Sequence, residues 1–522
     1  MSAAPAAQRG EKNVTPPAAA STAIRPDDST TRAATTTPVP AAGAAVPAPV
    51  TPPGDDDPCE RTAAEPTAAS DPGSGPRDST GPTGASFTRP TGMFSSLRVR
   101  NYRYFFAGQI VSNTGSWMQR IAQDWLVLSL TGSPLAVGIT TAMQFLPTLL
   151  LGLFGGVLAD RMPKRRLLIV TQGAMGLLAV GLAAMTMTGV VTASWVYAFA
   201  LLLGLVTVVD TPTRQAFVSE MVGPEHLSNA VSLNAANFQT ARLVGPAVAG
   251  LLIAAVGSGW AFALNALSFV AVIAGLLAMR SSELRPVDRI PRERGQLREG
   301  LRYVRERPDL LWPLVLASFI GTFGFNFPTL LAGFAYRTFH VGPGQYGLLN
   351  TAMALGSLAG ALYAARRGNP RLRWLTGAAL GFGLLEVLAA AAPGYWSFAV
   401  LLTLVGVFGL TFNTAVNSFV QLATEPEMRG RVMGLLVLVF TGGTPVGAPL
   451  VGWVTDAYGP RVGLLACGAV SALAAGTVGL VLARCADLRL RVDLHRGSRV
   501  VAFVPRGGAA EPARRRELAT AC

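Results

Sequence analysis

The sequence GPAVAGLLIAAVG occupies residues 245–257, and GAPLVGWVTDAYG occupies residues 447–459. The two align at an offset of 202. At the same offset Phe217-Val218 meets Phe419-Val420, and Pro224-Glu225 meets Pro426-Glu427. Earlier the match is looser: GITTAM at Gly138 resembles GLLNTAM beginning at Gly347. One such match could arise by chance between glycine-rich apolar segments, but four are hard to dismiss. They mark a duplicated unit.

Each copy holds six apolar segments, near 104–130, 135–158, 167–188, 195–219, 230–256 and 259–279, then near 311–336, 345–365, 373–393, 395–420, 432–456 and 461–483. Roughly 20 helical residues cross a hydrocarbon core of about 30 Å. Half of the 522 residues are hydrophobic and only 14% are charged, against about 25% in soluble proteins. Mean hydropathy is +0.41. The expected fold is an all-α polytopic membrane protein, with twelve transmembrane helices as two pseudo-symmetric six-helix bundles around a central cavity. The expected divisions are an Ala/Pro/Thr-rich disordered tail over 1–93, bundles over 94–280 and 310–484, a linker over 281–309 and an Arg-rich tail over 485–522.

Charge sets the orientation. Arg98, Arg100 and Arg103 precede the first segment, and Arg161, Lys164, Arg165 and Arg166 follow the second. Nine arginines lie between Arg280 and Arg307. Arg366, Arg367, Arg371 and Arg373 follow the eighth segment, and Arg429 and Arg431 follow the tenth. The alternate connections carry no basic residue except Arg337 and Arg461. Positive loops stay inside, so both termini are expected in the cytoplasm of a cell (inner) membrane. This pattern also accounts for the net charge of +14 without nucleic acid as a partner. In the linker, Leu297, Leu301 and Val304 recur at helical spacing. They suit either an amphipathic helix on the inner membrane surface or a solvated connector.

The residues that break the apolar pattern are the candidate site. At about 100° per residue, Gln109, Asn113, Trp117, Arg120 and Asp124 fall within roughly 40° of one line. Arg120 and Asp124, one turn apart, are expected to neutralise each other. Such a stripe belongs either to a substrate or proton pathway or to a buried pair stapling helices. The fourth segment repeats it with Asp210 and Arg214, Thr207 on the same side and Pro212 between. Asn413 and Asn417 share a face of the tenth. Glu386 stands alone in the ninth, suiting a proton carrier or a residue near the outer surface.

Two motifs are more specific. GGVLADRMPKRR (155–166) places Gly156 for close helix approach, Asp160 at a helix end, and Arg161, Lys164 and Arg165 in a short loop. ARLVGPAVAG (241–250) puts Arg242 beside Gly245, Pro246 and Gly250, giving a kinked, closely packed helix. The first resembles the signature G-x-x-x-D-R-x-G-R-R/K of the major facilitator superfamily, with Pro163 where glycine is usual. The second resembles that superfamily's antiporter motif. The wording of residues 101–134, 212–234 and 297–308 is similar to its drug:proton antiporter branch, of macrolide-efflux, enterobactin-exporter-like and transmembrane secretion effector type.

The resemblance implies export of a small organic molecule in exchange for protons, by rocking two halves about a central site. The proton gradient would be the energy source, with no cofactor. A carboxylate paired with arginine stays ionised and takes a proton when substrate displaces its partner. Asp124 with Arg120 and Asp210 with Arg214 are the pairs expected to act so. An uptake transporter on the same scaffold and a membrane sensor are the alternatives. Enzyme chemistry is not expected: the three histidines (His226, His340, His495) lie outside the apolar centres, and no phosphate loop is present. Cys59, Cys467, Cys485 and Cys522 have no metal-binding spacing. Beyond membrane lipid, no obligatory protein partner is implied.

Overall fold

The computed structural model describes residues 92, 94–285, 296–366, 371–485, 488–492 and 501–505. In chain order the first half contains α1 (Arg100–Thr131), α2 (Pro134–Arg161), α3 (Lys164–Met187), α4 (Ala193–Val256) and α5 (Ser258–Ala278). The linker helix is α6 (Gln296–Glu306). The second half contains α7 (Pro308–Phe319), α8 (Phe327–Gly333), α9 (Pro343–Arg366), α10 (Leu372–Ala390), α11 (Tyr395–Ala423), α12 (Arg429–Gly442), α13 (Thr444–Tyr458) and α14 (Pro460–Cys485). Local chemistry sets the ends. Proline sits in the first turn of α2, α7, α8 and α13, where its missing N–H is no loss. Gly132 closes α1 in the left-handed conformation at φ 65°.

Ten stretches among the described residues are long and apolar enough to cross a membrane. One of them, α4, has 64 residues, about 96 Å at roughly 1.5 Å per residue, far longer than a single crossing. It breaks at Gly223, φ 69°, into two passes. The helix α1 falls outside the ten because its polar stripe lowers its hydropathy. Joined through π-helical turns, α7 and α8 form one stretch, Pro308–Thr338, and α12 with α13 forms another, Arg429–Tyr458. With α1 added and α4 read as two passes, every expected span has a helix.

The break in α4 favours glycine through its positive φ, whereas the atoms nearest an added methyl are the movable ends of two side chains. A methyl group there would sit 2.5 Å from Arg285 Nη1 and 2.8 Å from Glu225 Oε2. Its own backbone N–H and the Arg285 guanidinium, 2.9 Å away, hold Glu225 below the usual carboxylate range.

The sequence duplication reappears as two related seams between the halves. A methyl group on Gly347 of α9 would lie 2.5 Å from the Pro246 carbonyl oxygen and 2.9 Å from Gly250 Cα in α4. At the other seam Gly138 of α2 faces the Ala448 carbonyl of α13, and 448 − 246 is again 202. Gly452, counterpart of Gly250, packs on Leu135. Gly257 and Gly459 end α4 and α13 at φ 89° and 91°. Small residues let these backbones touch where lipid offers no hydrophobic drive. Gly347→Leu should therefore destabilise the fold by about 1–3 kcal/mol through overpacking. Gly377→Leu, where nothing lies within 4 Å of an added methyl, should not. Melting temperatures in detergent distinguish the two.

The chain between the fourth and fifth spans is helical on both sides of Gly223. The expected linker helix is present as α6, and part of its apolar side meets protein while Leu301 stays exposed. Val304 is buried, Gly300 meets the Arg431 side chain on α12, and Glu299 pairs with Arg431 at 2.5 Å. Past α14, β1 (Leu488–Val492) pairs antiparallel with β2 (Val501–Pro505), Leu490 opposite Phe503. β2 is a short apolar run in the otherwise Arg-rich tail. The expected tail over 1–93 lies outside the described residues apart from Gly92 and Phe94 onward, as do residues 286–295 and 367–370.

Candidate substrate and proton pathway

A cavity of about 370 Å³ opens within the first half, between α1, α3, α4 and α5. From α1 it is lined by Gln109, Asn113, Trp117 and Arg120, and from α4 by Thr207, Asp210 and Arg214. Four of the five stripe residues thus share one wall, as their helical angles require. The fifth, Asp124, is buried and does not line this cavity. It accepts a hydrogen bond, 3.3 Å, from the Tyr346 hydroxyl of α9 across the seam between halves.

Arg120 and Asp124 are within electrostatic reach of each other, as expected, but no ion-pair contact joins them among the described residues. The Arg120 guanidinium instead lies 5.3 Å from the Trp117 ring centroid and 5.7 Å from that of Phe145. Helical side chains lean toward the N-terminus, so an arginine preceding its acid reaches away from it. Asp210 and Arg214 stand in the opposite order, and they do pair.

That pair anchors a network joining three helices. Asp210 is 1% exposed. Its Oδ1 accepts hydrogen bonds from Thr171 Oγ1 at 2.8 Å and Gln172 Nε2 at 2.7 Å, both on α3, and its Oδ2 faces Arg214. Arg214 Nη1 in turn donates to Gln109 Oε1 of α1 at 2.8 Å. Sequence reasoning missed Thr171 and Gln172. It also missed the Asn265–Gln119 bond, in which Asn265 Nδ2 of α5 donates at 2.6 Å. The available signal was a polar residue inside an apolar run, TQ in LLIVTQGAM and a lone asparagine in AFALNALSF.

Arg242 joins the site indirectly, its guanidinium 5.9 Å from the Trp117 centroid. One turn on, a methyl group at Gly245 would lie 2.6 Å from Trp117 Cβ, so this glycine sets where the indole can sit. Pro246 and Gly250 form the seam with α9. Glu386 is fully buried between α10 and α14, against Gly468, one turn from the arginine-poor end of α10. Neither it nor Asn413 and Asn417 line this cavity. The two asparagines bond along α11, Asn417 Nδ2 donating to the Asn413 carbonyl at 2.8 Å.

The loop signature acts at the arginine-rich end. Lys164 pairs with Glu220 at 2.6 Å. Arg165 donates to the Leu276 and Leu277 carbonyls at 2.8 and 3.0 Å, meeting oxygens at the end of α5 that lack helical partners. Arg161 is exposed, Asp160 sits at the end of α2, and Gly156 is buried. The closest approach to α4 is made by neighbouring Gly155, at Val208. At the opposite, arginine-poor end, Arg337 pairs with Asp456 and donates to the Gly132 carbonyl at 2.9 Å. Ser133 Oγ donates to Asp456 Oδ2 at 2.8 Å. The α1–α2 connection is thereby tied to two elements of the second half. Arg461, the other exception to the charge pattern, donates to the Ala390 carbonyl at 3.3 Å.

Known proteins share this plan. The chain is 24% identical over 368 residues to the staphyloferrin A transporter of Staphylococcus aureus, covering 68% of this chain and 90% of that one. It is 28% identical over 393 residues to the multidrug efflux pump Tap of Mycolicibacterium fortuitum, covering 73% and 95%. To the enterobactin exporter EntS of Shigella flexneri it is 24% identical over 403 residues, covering 76% and 92%. Among solved structures, a bacterial homologue of the human lysosomal transporter Spinster, in an inward-facing, unoccupied conformation, superposes with TM-score 0.60 at 15% identity. That likeness covers 73% of this chain and 96% of that one. The nucleoside transporter NupG gives 0.53 at 14% identity, covering 74% and 99%. The profile of the transmembrane secretion effector family matches residues 91–493, and the chain belongs to that family of major facilitator transporters.

Proposed function

We propose that the protein exports a small organic molecule from the cytoplasm in exchange for protons, by alternating access across the inner membrane, with both termini cytoplasmic. The proton gradient is its energy source, without a cofactor. The observation that carries this reading is a membrane-buried acid, Asp210, in a cavity wall, held by an arginine that a ligand can compete for. The family's efflux pumps and siderophore transporters support the direction of transport. The tie between Arg337, Asp456 and the α1–α2 connection closes the arginine-poor end, which suits an inward-facing state. Asp124 is the second coupling acid, placed where the halves move against each other and bonded to Tyr346.

Everted vesicles from an efflux-deficient host test this, with a pH-sensitive dye reporting proton release as antibiotics and siderophores are added. Asp210→Asn and Asp124→Asn should each reduce substrate-induced proton movement to the level of empty vesicles. Wild-type coupling in both variants would remove these acids from the mechanism. Uptake driven by inward protons would reverse the direction.

A further inference from the structure

Arg120 lines the cavity, and Arg242 stands behind the cavity's Trp117 rather than in its wall. Both guanidiniums lie against Trp117, and neither makes a hydrogen bond or ion pair among the described residues. The hydrogen bonds of the neighbouring acids go to other groups. Asp210 is bound by Arg214, Thr171 and Gln172, and Asp124 turns to Tyr346. Asp210 offsets Arg214, and Asp124 lies within electrostatic reach of Arg120, so among these five groups Arg242 is left as one positive charge in excess.

An arginine inside a membrane is costly, and an aromatic face compensates only part of that. A ligand that brings a negative charge completes the balance. Trp117 and Phe238, edge to face at 5.6 Å and both lining the cavity, add an apolar surface for a flat body. We propose that this part of the cavity binds an organic anion, its carboxylate or similar group meeting Arg120, with Arg242 adding attraction, and its flat unsaturated body lying along Trp117 and Phe238. This rests on the cavity being the exported ligand's site, as proposed above.

Equilibrium dialysis of the full chain in zwitterionic nanodiscs tests it, with empty nanodiscs correcting for partition. Three probes of one shape are compared: 2-naphthoate, uncharged 2-naphthamide and (2-naphthylmethyl)trimethylammonium. Naphthoate should bind roughly tenfold or more tighter than the other two, the gain of a charge-assisted hydrogen bond. Arg120→Gln and Arg242→Gln should each erode that preference. Arg120→Lys should keep part of it, provided elution and melting match the wild type. Equal or tighter binding of the cation overturns the proposal. So does binding of none of the three, or a preference unchanged in both glutamine variants. Anion preference without substrate-induced proton movement keeps this site and sinks the export reading. Proton movement without anion preference sinks this inference alone.

Discussion

Asp210→Leu should destabilise the protein by about 3 kcal/mol, the lower end of the range for breaking a buried ion pair, because Arg214 keeps some access to the cavity. The loss has two parts. Arg214 becomes an uncompensated cation in the membrane interior, and the Gln172 amide loses its acceptor. Thr171 suffers less, since its hydroxyl already lies 3.2 Å from the Leu168 carbonyl and can turn its proton there. Asparagine at 210 is a milder change, because Thr171 and Gln172 can turn to accept from its amide, though Arg214, a donor only, loses its charge partner. Replacing both partners, Asp210→Leu with Arg214→Leu, should restore most of the stability, since a hydrophobic pair of similar volume replaces a buried salt bridge at little cost. Transport should stay lost in the double variant. Melting temperature in detergent, read beside drug resistance in an efflux-deficient host, separates the structural role of the pair from its role in coupling. Recovery of both together would make the pair a staple and nothing more.

The spans were legible because hydrocarbon thickness forces length, and because glycine and proline punctuate the ends. The seams were legible too, as an echo: Gly138 and Gly347 lie in matching words, and each meets the other half's equivalent carbonyl, at Ala448 and Pro246. The stripe on α1 was legible as a face, since helical angle alone puts Gln109, Asn113, Trp117 and Arg120 on one wall. Partner choice was not. Spacing made Arg120–Asp124 and Asp210–Arg214 look alike, yet the lean of helical side chains favours only the pair with the acid first. The partner Asp124 does have, Tyr346, is 222 residues away, and no local rule points to it. Thr171 and Gln172 read as ordinary polar residues until α3 packs against α4. The apolar side of α6 was legible from its spacing, but its contact with α12 through Arg431, far along the chain, was not.

Asp456→Ala should open the arginine-poor end. The carboxylate holds Arg337 and accepts from Ser133, so one side chain ties the α1–α2 connection to both spans of the second half that end there. Breaking charge-assisted contacts of this kind is worth about 2 kcal/mol, which shifts a two-state equilibrium roughly 30-fold toward the open form. Nitroxide labels at positions 131 and 458, with the native cysteines replaced, should gain a longer distance that the wild-type background lacks. Arg337→Ala should do more, because Arg337 also holds the Gly132 and Asp456 carbonyls, each at 2.9 Å. Exchanging the charges, Arg337→Asp with Asp456→Arg, should recover only part of the closure, since an aspartate at 337 cannot donate to those carbonyls. Unchanged distances in all three would mean that the glycine seams of α4 with α9 and α2 with α13 hold this end shut without the ion pair. The two arginines that break the charge pattern would then be tolerated exceptions. A latch of a few kcal/mol is the useful size for a transporter: strong enough to keep the exit closed while the cavity is empty, and weak enough for bound ligand and proton to overcome.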